Sequence, residues 1–228
     1  MFKKFLGFII ILCALFIMFL QFIFPSLLEN TVRTRLSDKL ATHDVMVKLS
    51  STPDIFMALG KIDSFSALSH GAKIGNVYFE EISAEGAGLE IDMLSLLAHN
   101  QLVFNQTQNV KFKGIITELN LKELIKRDDK FQNVEVKITP EEILATSSFK
   151  IFGQEAKAEL SGNVIVEDGA LVFKMQRLNV KNSMIGTVKL NSLFSDITLV
   201  NKGRLPFNAE FTDTRLADGR VFIEAGRE

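Results

Sequence analysis

The sequence predicts an α+β protein: an N-terminal transmembrane helix, then a long amphipathic helix, then a largely antiparallel β-sheet. Three observations carry this. Phe5 to Phe24 is a run of 20 residues without a charge, Leu28, Val32, Leu36 and Leu40 recur every four residues, and from about Asp44 the apolar period drops to two. Those spacings are the signatures of one helix face and one strand face. The chain's 228 residues suffice for an ordinary domain plus a targeting segment. The boundaries read as an anchor over residues 1–25 and one extracytoplasmic domain over 26–228.

Only Gly7 and Gln21 interrupt the apolar run. At about 1.5 Å per residue a 20-residue helix is about 30 Å long, the hydrocarbon thickness of a bilayer. A cleaved signal peptide has an apolar stretch of about 7 to 15 residues and then a small-residue cleavage site. Here the run is longer and Pro25-Ser26-Leu27-Leu28 follows. An uncleaved signal anchor is the expected reading, with a cleaved leader or a buried soluble helix as alternatives. Leu12 before Cys13 departs from a lipobox, which needs a small side chain there, so Cys13 reads as one more membrane-facing residue. Lys3 and Lys4 ahead of the span favour a cytoplasmic N-terminus, while Arg33, Arg35 and Lys39 after it weaken that signal.

Past the span, Ser26 with Glu29 resembles a capping box, and the stripe from Leu28 to Leu40 is that of a helix packed on its own domain. It is too short to single out a coiled-coil partner. Alternation then marks strands at Val45-Val47-Leu49, Val110-Phe112, Val134-Val136-Ile138, Ala156-Ala158-Leu160 and Leu171-Phe173-Met175. Asp168-Gly169 and Asp218-Gly219, each between apolar alternations, predict tight hairpins because Gly accepts positive φ. Short helices are expected over Pro53–Leu59 ending at Gly60, over Leu121–Arg127 capped by Asn120 with Glu123, and more weakly over Asp92–Ala98 and Asn191–Asp196. Thr139-Pro140-Glu141-Glu142 is expected to give a single helical turn before an extended Ser147–Phe152.

The chemistry is less legible. Twenty-six basic against 27 acidic residues give a net charge of −1, which argues against nucleic acid because phosphate-backbone affinity needs a cationic excess. One Cys allows neither an internal disulfide nor a thiolate cluster. His43, His70 and His99 are the candidate acid–base groups, and each has a bland neighbourhood. Glu80-Glu81 and Asp128-Asp129 are adjacent carboxylates, which on a strand point to opposite faces. No nucleophile elbow, zinc, calcium or phosphate-loop motif occurs. No catalytic residue, metal ligand or cofactor is therefore assigned, and the chain reads as a non-enzyme.

The order of the pieces adds a resemblance. Ser50-Ser51-Thr52-Pro53-Asp54-Ile55, Leu59-Gly60-Lys61-Ile62-Asp63-Ser64, Ile138-Thr139-Pro140-Glu141-Glu142, Val166-Glu167-Asp168-Gly169-Ala170-Leu171 and Arg204-Leu205-Pro206-Phe207 with Asp218-Gly219 follow one another. Over roughly Leu27 to Ala225 this series resembles the LmeA-like family of bacterial phospholipid-binding proteins. The resemblance implies a tubular lipid-binding-like fold, with a curved antiparallel sheet wrapped round the long helix and an apolar groove for acyl chains. It also implies binding or transfer of membrane phospholipid, or a related amphiphile, in the bacterial cell envelope. The long anchor departs from a secreted member and argues against free shuttling between membranes.

Phe112, Ile116, Phe149, Ile151, Phe173 and Met175 are the groove-lining candidates. Phe and Met suit variable acyl chains because neither has a polar tip needing a partner. They suit an ordinary core as well, so core and groove stay open for all six. The leading expectation is a single-pass protein of the bacterial cytoplasmic membrane, with its domain in the periplasm and residues 5–24 in the bilayer. The alternatives are a structural tether with a fully packed core and an enzyme acting on lipid or glycan.

Overall fold

Alternating apolar residues build antiparallel strands in the computed structural model, which describes residues 2–99, 101–127, 132–151, 154–182, 186–189 and 196–227. In chain order come α1 (Phe2–Phe22), α2 (Phe24–Leu40), β1 (Val45–Ser50), β2 (Lys61–His70), β3 (Lys73–Ile74), β4 (Val77–Tyr78) and β5 (Glu81–Ile91). Next are α3 (Met93–His99), β6 (Phe104–Gln106), β7 (Asn109–Thr117), α4 (Glu118–Lys126), β8 (Gln132–Ile138) and β9 (Ile143–Ile151). They are followed by β10 (Gln154–Glu167), β11 (Ala170–Asn182), β12 (Gly186–Lys189), β13 (Ile197–Val200), β14 (Glu210–Ala217) and β15 (Arg220–Arg227). Short 3-10 turns cover Asp54–Leu59 and Pro206–Asn208. The architecture is mixed α+β with an N-terminal apolar helix and antiparallel sheets. Contacts divide the chain into two units, Met1–Ser69 with Ser83–Lys111, and His70–Ile82 with Phe112–Arg227.

In the first unit, Lys4–Phe22 of α1 is long and apolar enough to cross a membrane, and none of it is buried. α1 runs almost directly into α2, since the Ile23 amide donates to Phe19 O at 3.0 Å and the Leu27 amide to Ile23 O at 3.3 Å. The expected capping box therefore does not form. α2 starts at Phe24 with no side-chain cap and with Pro25 in its first turn, where a missing N–H costs nothing. Glu29 instead reaches the next strand, accepting from the Leu49 amide at 2.8 Å. Leu28 and Val32 are buried against the domain, whereas Leu36 and Leu40 are only half-buried. β1 pairs with β2 from Val45↔Ser69 to Ser50↔Ser64, and the order runs β1-β2-β5 with β6 on β5. Gly86 gives the Phe65 ring its place, because a β-carbon there would collide with it.

The second unit holds the sheet β12-β11-β10-β9-β8, with β13 also on β11. The β10–β11 hairpin turns at Asp168 and Gly169, at φ of 49° and 74°, the left-handed pair that such a turn requires. Asp218-Gly219 turns β14 into β15 with Gly219 at a φ of 75°. α4 begins three residues earlier than expected. Thr117 is its cap, donating and accepting with Asn120 at the third helical position, and Glu118 rather than Leu121 opens the helix. Glu118 Oε1 then accepts from the Ile138 amide of β8 at 2.8 Å, tying α4 to the sheet. Thr139-Pro140-Glu141-Glu142 closes the β8–β9 hairpin instead of coiling. The Thr139 amide donates to Glu142 O at 3.0 Å, and the Glu142 amide to Thr139 Oγ1 at 3.1 Å. Asp128, Asp129 and all but the last residue of Asn191–Asp196 lie outside the described residues.

One ion pair braces this sheet from outside. Arg177 Nη2 donates to both Glu142 carboxylate oxygens, at 3.0 and 2.7 Å, and its Nε donates to Ser161 Oγ at 3.1 Å. The Arg177 guanidinium, with help from Ser161, holds the Glu142 carboxyl below its ordinary value of 4.5. A carboxyl whose pKa is lower folded than unfolded adds stability above the unfolded value, and that stability is lost as pH falls through the folded one. Glu142→Gln is expected to be slightly less stable than wild type at neutral pH, and the gap should close in acid below the carboxylate range. Urea denaturation across that pH interval reads both.

Candidate apolar lipid site

A strand with one buried face delivers a row of apolar side chains to the interior, and β7 does this in the second unit with Phe112, Gly114 and Ile116. Ile116 is fully buried and Phe112 nearly so. Between them Gly114 leaves the space of a side chain, and the Phe79 ring fills it: a β-carbon at Gly114 would lie 3.0 Å from that ring. Around this gap Ile74, Phe79, Ile82, Leu205, Phe211, Ile223 and Ala225 join Phe112 to form a shallow, partly open apolar recess. Lys113 is the one lining residue with a charge. The space the lining side chains leave free is only about 10 Å³, about what one water needs and far below the roughly 300 to 1,000 Å³ of small-molecule pockets.

The Phe112 ring also meets Phe207, at 6.2 Å between centroids and a 35° tilt. Phe207 has φ of 62° in the 3-10 turn at Pro206–Asn208. That left-handed conformation is costly for a bulky L-residue, and it persists under two local hydrogen bonds. The Ala209 amide donates to Pro206 O at 3.2 Å, and Arg227 Nη1 to Phe207 O at 3.4 Å. Leu205-Pro206-Phe207, which the sequence presents as packing at a strand start, thus supplies Leu205 to the recess and Phe207 to the ring beside it.

Of the six groove candidates, Phe112 alone lines this recess. Ile116 lies deeper on the same strand face. Phe149 on β9 and Met175 on β11 are half-buried, while Phe173 on β11 is buried. Phe173 fills the space over Gly162, where β10 and β11 shift register and a β-carbon would run into the Phe173 ring and the Lys174 carbonyl. The Ile151 side chain lies outside the described residues. Phe79, Phe211 and Ile223 were not among the candidates: Phe79 follows a two-residue strand, and Phe211 and Ile223 lie on the β14–β15 hairpin, far along the chain from Phe112. The alternation at Phe211 and at Val221-Phe222-Ile223 was the available signal.

Polar chemistry near the recess is sparse. His70 Nε2 stands 3.6 Å from Glu81 Oε2 in the second unit, both side chains well exposed. His43 and His99 are exposed in the first. Among the described residues no three His, Cys, Asp or Glu side chains are placed to hold a metal ion.

The recess is lined by aromatic and branched apolar side chains, with Lys113 the one cation, and offers apolar contact rather than a polar cleft. The family model described as LmeA-like phospholipid-binding matches residues 20–226, and the chain belongs to that family. Membership points to lipid binding. No curated protein and no solved structure matches the chain.

Burial separates the candidates energetically. Ile116→Ala is expected to cost about 2–5 kcal/mol, the usual range for truncating a fully buried Ile. Met175→Ala, at a half-buried position, should cost roughly 1 kcal/mol. Urea denaturation of the full chain in detergent measures both, and equal losses would show that the two strands bury their faces alike.

Proposed function

We propose that the chain is a membrane-anchored phospholipid-binding or transfer protein of the bacterial cell envelope. In this reading residues 1–25 are an uncleaved anchor in the cytoplasmic membrane, and residues 26–228 form an extracytoplasmic lipid-binding domain. The observation that carries it is the apolar recess around Phe79, Phe112 and Gly114 in a chain of a phospholipid-binding family. The tubular arrangement belongs to the same proposal: α2 lies against a sheet that curves round it, and its buried Leu28 and Val32 support the first turns of that packing.

Affinity comes from burying acyl methylenes, at about 0.8 kcal/mol each. The recess admits an acyl chain only if rings such as those of Phe112 and Phe207 move aside. Rotating two rings that lack polar tips breaks no hydrogen bond, which keeps that opening cheap. Catalysis plays no part in this reading.

Full-length protein extracted in mild detergent is expected to carry phospholipid detectable by native mass spectrometry. Ala225→Leu, which adds bulk to the recess from β15, should retain several-fold less lipid while losing about 1–3 kcal/mol of stability to overpacking, with circular dichroism checking that it folds. Wild-type protein that carries no lipid and takes none up from added vesicles would overturn the proposal in favour of a tether with a packed core.

A further inference from the structure

The first unit exposes large apolar side chains that its own core does not use. Phe56 and Leu59 of the Asp54–Leu59 turn are 42% and 70% exposed, and Leu94 and Leu97 of α3 are each 74% exposed. Leu94 and Leu97 are three residues apart, hence on one side of the helix, while Leu96 between them is buried at 3%. Met46, Leu119 and Ile197, by contrast, are exposed singly on separate elements, which is ordinary for a protein surface.

The two segments are fixed to each other. Gly60 closes the turn, its carbonyl accepts from the Ile91 amide at 2.8 Å, and Met93 Cγ lies 3.2 Å from where a Gly60 β-carbon would be. Asp92 then holds the start of α3, accepting from the Ser95 amide at 3.0 Å and from Ser95 Oγ at 2.7 Å. The pair is also fixed to the end of α1. The turn packs against α1, and Gln21 Nε2 donates to Asp54 Oδ2 at 3.2 Å. A helix over residues 5–24 is about 30 Å long, the thickness of the hydrocarbon core, so Gln21 lies within about one helical turn of its outer edge. The turn bearing Phe56 and Leu59 therefore meets the membrane surface beside the anchor.

The geometry points to a bilayer-seated face made of Phe56, Leu59, Leu94 and Leu97, which dips into the headgroup layer next to α1. This rests on the anchor reading in the proposed function. The occupant is the lipid surface itself because the face continues from a helix end that already lies there. Amphipathic segments of this kind sit about 5–10 Å into the boundary between headgroups and acyl chains. Seating the face would fix the orientation of the first unit on the membrane, which a single flexible helix end would not.

The chain has no Trp, so single-Trp variants of the full chain are clean probes. In phosphatidylcholine vesicles brominated near the top of the acyl chains, Leu59→Trp and Leu97→Trp should show blue-shifted emission. Their quenching should be several-fold stronger than that of Leu119→Trp, whose position is 61% exposed on α4. Phe16→Trp reports the anchor, and circular dichroism checks that each variant folds. Quenching at Phe16→Trp with none at Leu59→Trp or Leu97→Trp overturns the seated face and leaves the anchor standing. No quenching at Phe16→Trp overturns the anchor and the face together. A blue shift without bromolipid quenching assigns the face to a protein partner or a second copy, and quenching no stronger than at Leu119→Trp also overturns the inference.

Discussion

The recess depends on the alternation of side chains along β7, which sends Phe112, Gly114 and Ile116 to one face. Period two is a hard constraint of extended backbone, so a one-residue slip would expose all three and bury Lys111 and Lys113 in their place. Ile116 anchors the register by being fully buried. Gly114 then determines what the face can enclose, because the absent side chain is replaced by the Phe79 ring arriving from another segment. A single missing β-carbon thus sets both the position of Phe79 and the floor of the recess.

Hairpins and register make that face possible. Asp168 and Gly169 turn with positive φ, and Thr139 with Glu142 closes the neighbouring hairpin through paired hydrogen bonds. Thr214 Oγ1 on β14 donates to Val164 O on β10 at 2.8 Å, and the Gly219 amide donates to Ile138 O at 3.0 Å. Both link the β14–β15 hairpin to the sheet β8–β11 without using a side chain of the recess. The lining is thereby left to apolar groups, which need no partner and can shift without breaking a hydrogen bond.

Local chemistry explains which parts were legible in the sequence. The apolar run from Phe5, the alternation in β1, β7, β8, β10 and β11, and the two Asp-Gly hairpins depend on neighbours in the chain, and each was readable. Helix starts were less so, because caps compete: Thr117 lies one residue before the helix and captures Asn120, whereas Ser26 loses its role when α1 continues through Ile23. The recess was mostly illegible. Leu205, Phe211 and Ala225 come from one stretch of chain, where Phe211 pairs with Ala225, but they meet Phe79 and Phe112 from about a hundred residues away, and no periodicity encodes which buried face meets which. Phe112, on a long and regular strand, is the one groove candidate that also lines the recess.

The choice of aromatic side chain follows the same logic. The chain has 20 Phe, no Trp and a single Tyr, and Tyr78 directly precedes Phe79 in sequence. Alternation sends the two to opposite faces. Phe79 is 2% exposed and enters the recess lining. Tyr78 stays half-buried between two cations, with Lys73 Nζ 5.6 Å and Arg127 Cζ 5.0 Å from its ring centroid. Arg127 is held there by its Nη1, which donates to Asn76 O at 2.7 Å. A Tyr at 79 would carry a hydroxyl among Ile74, Ile82 and Phe211, where no side chain of the lining accepts a hydrogen bond, and an unmet buried hydroxyl costs about 1–3 kcal/mol. A Phe at 78 would lose little ring–cation attraction, since that depends on the ring face. Desolvation therefore selects Phe on the inner side and tolerates either residue on the outer, which keeps the aromatic part of the lining apolar.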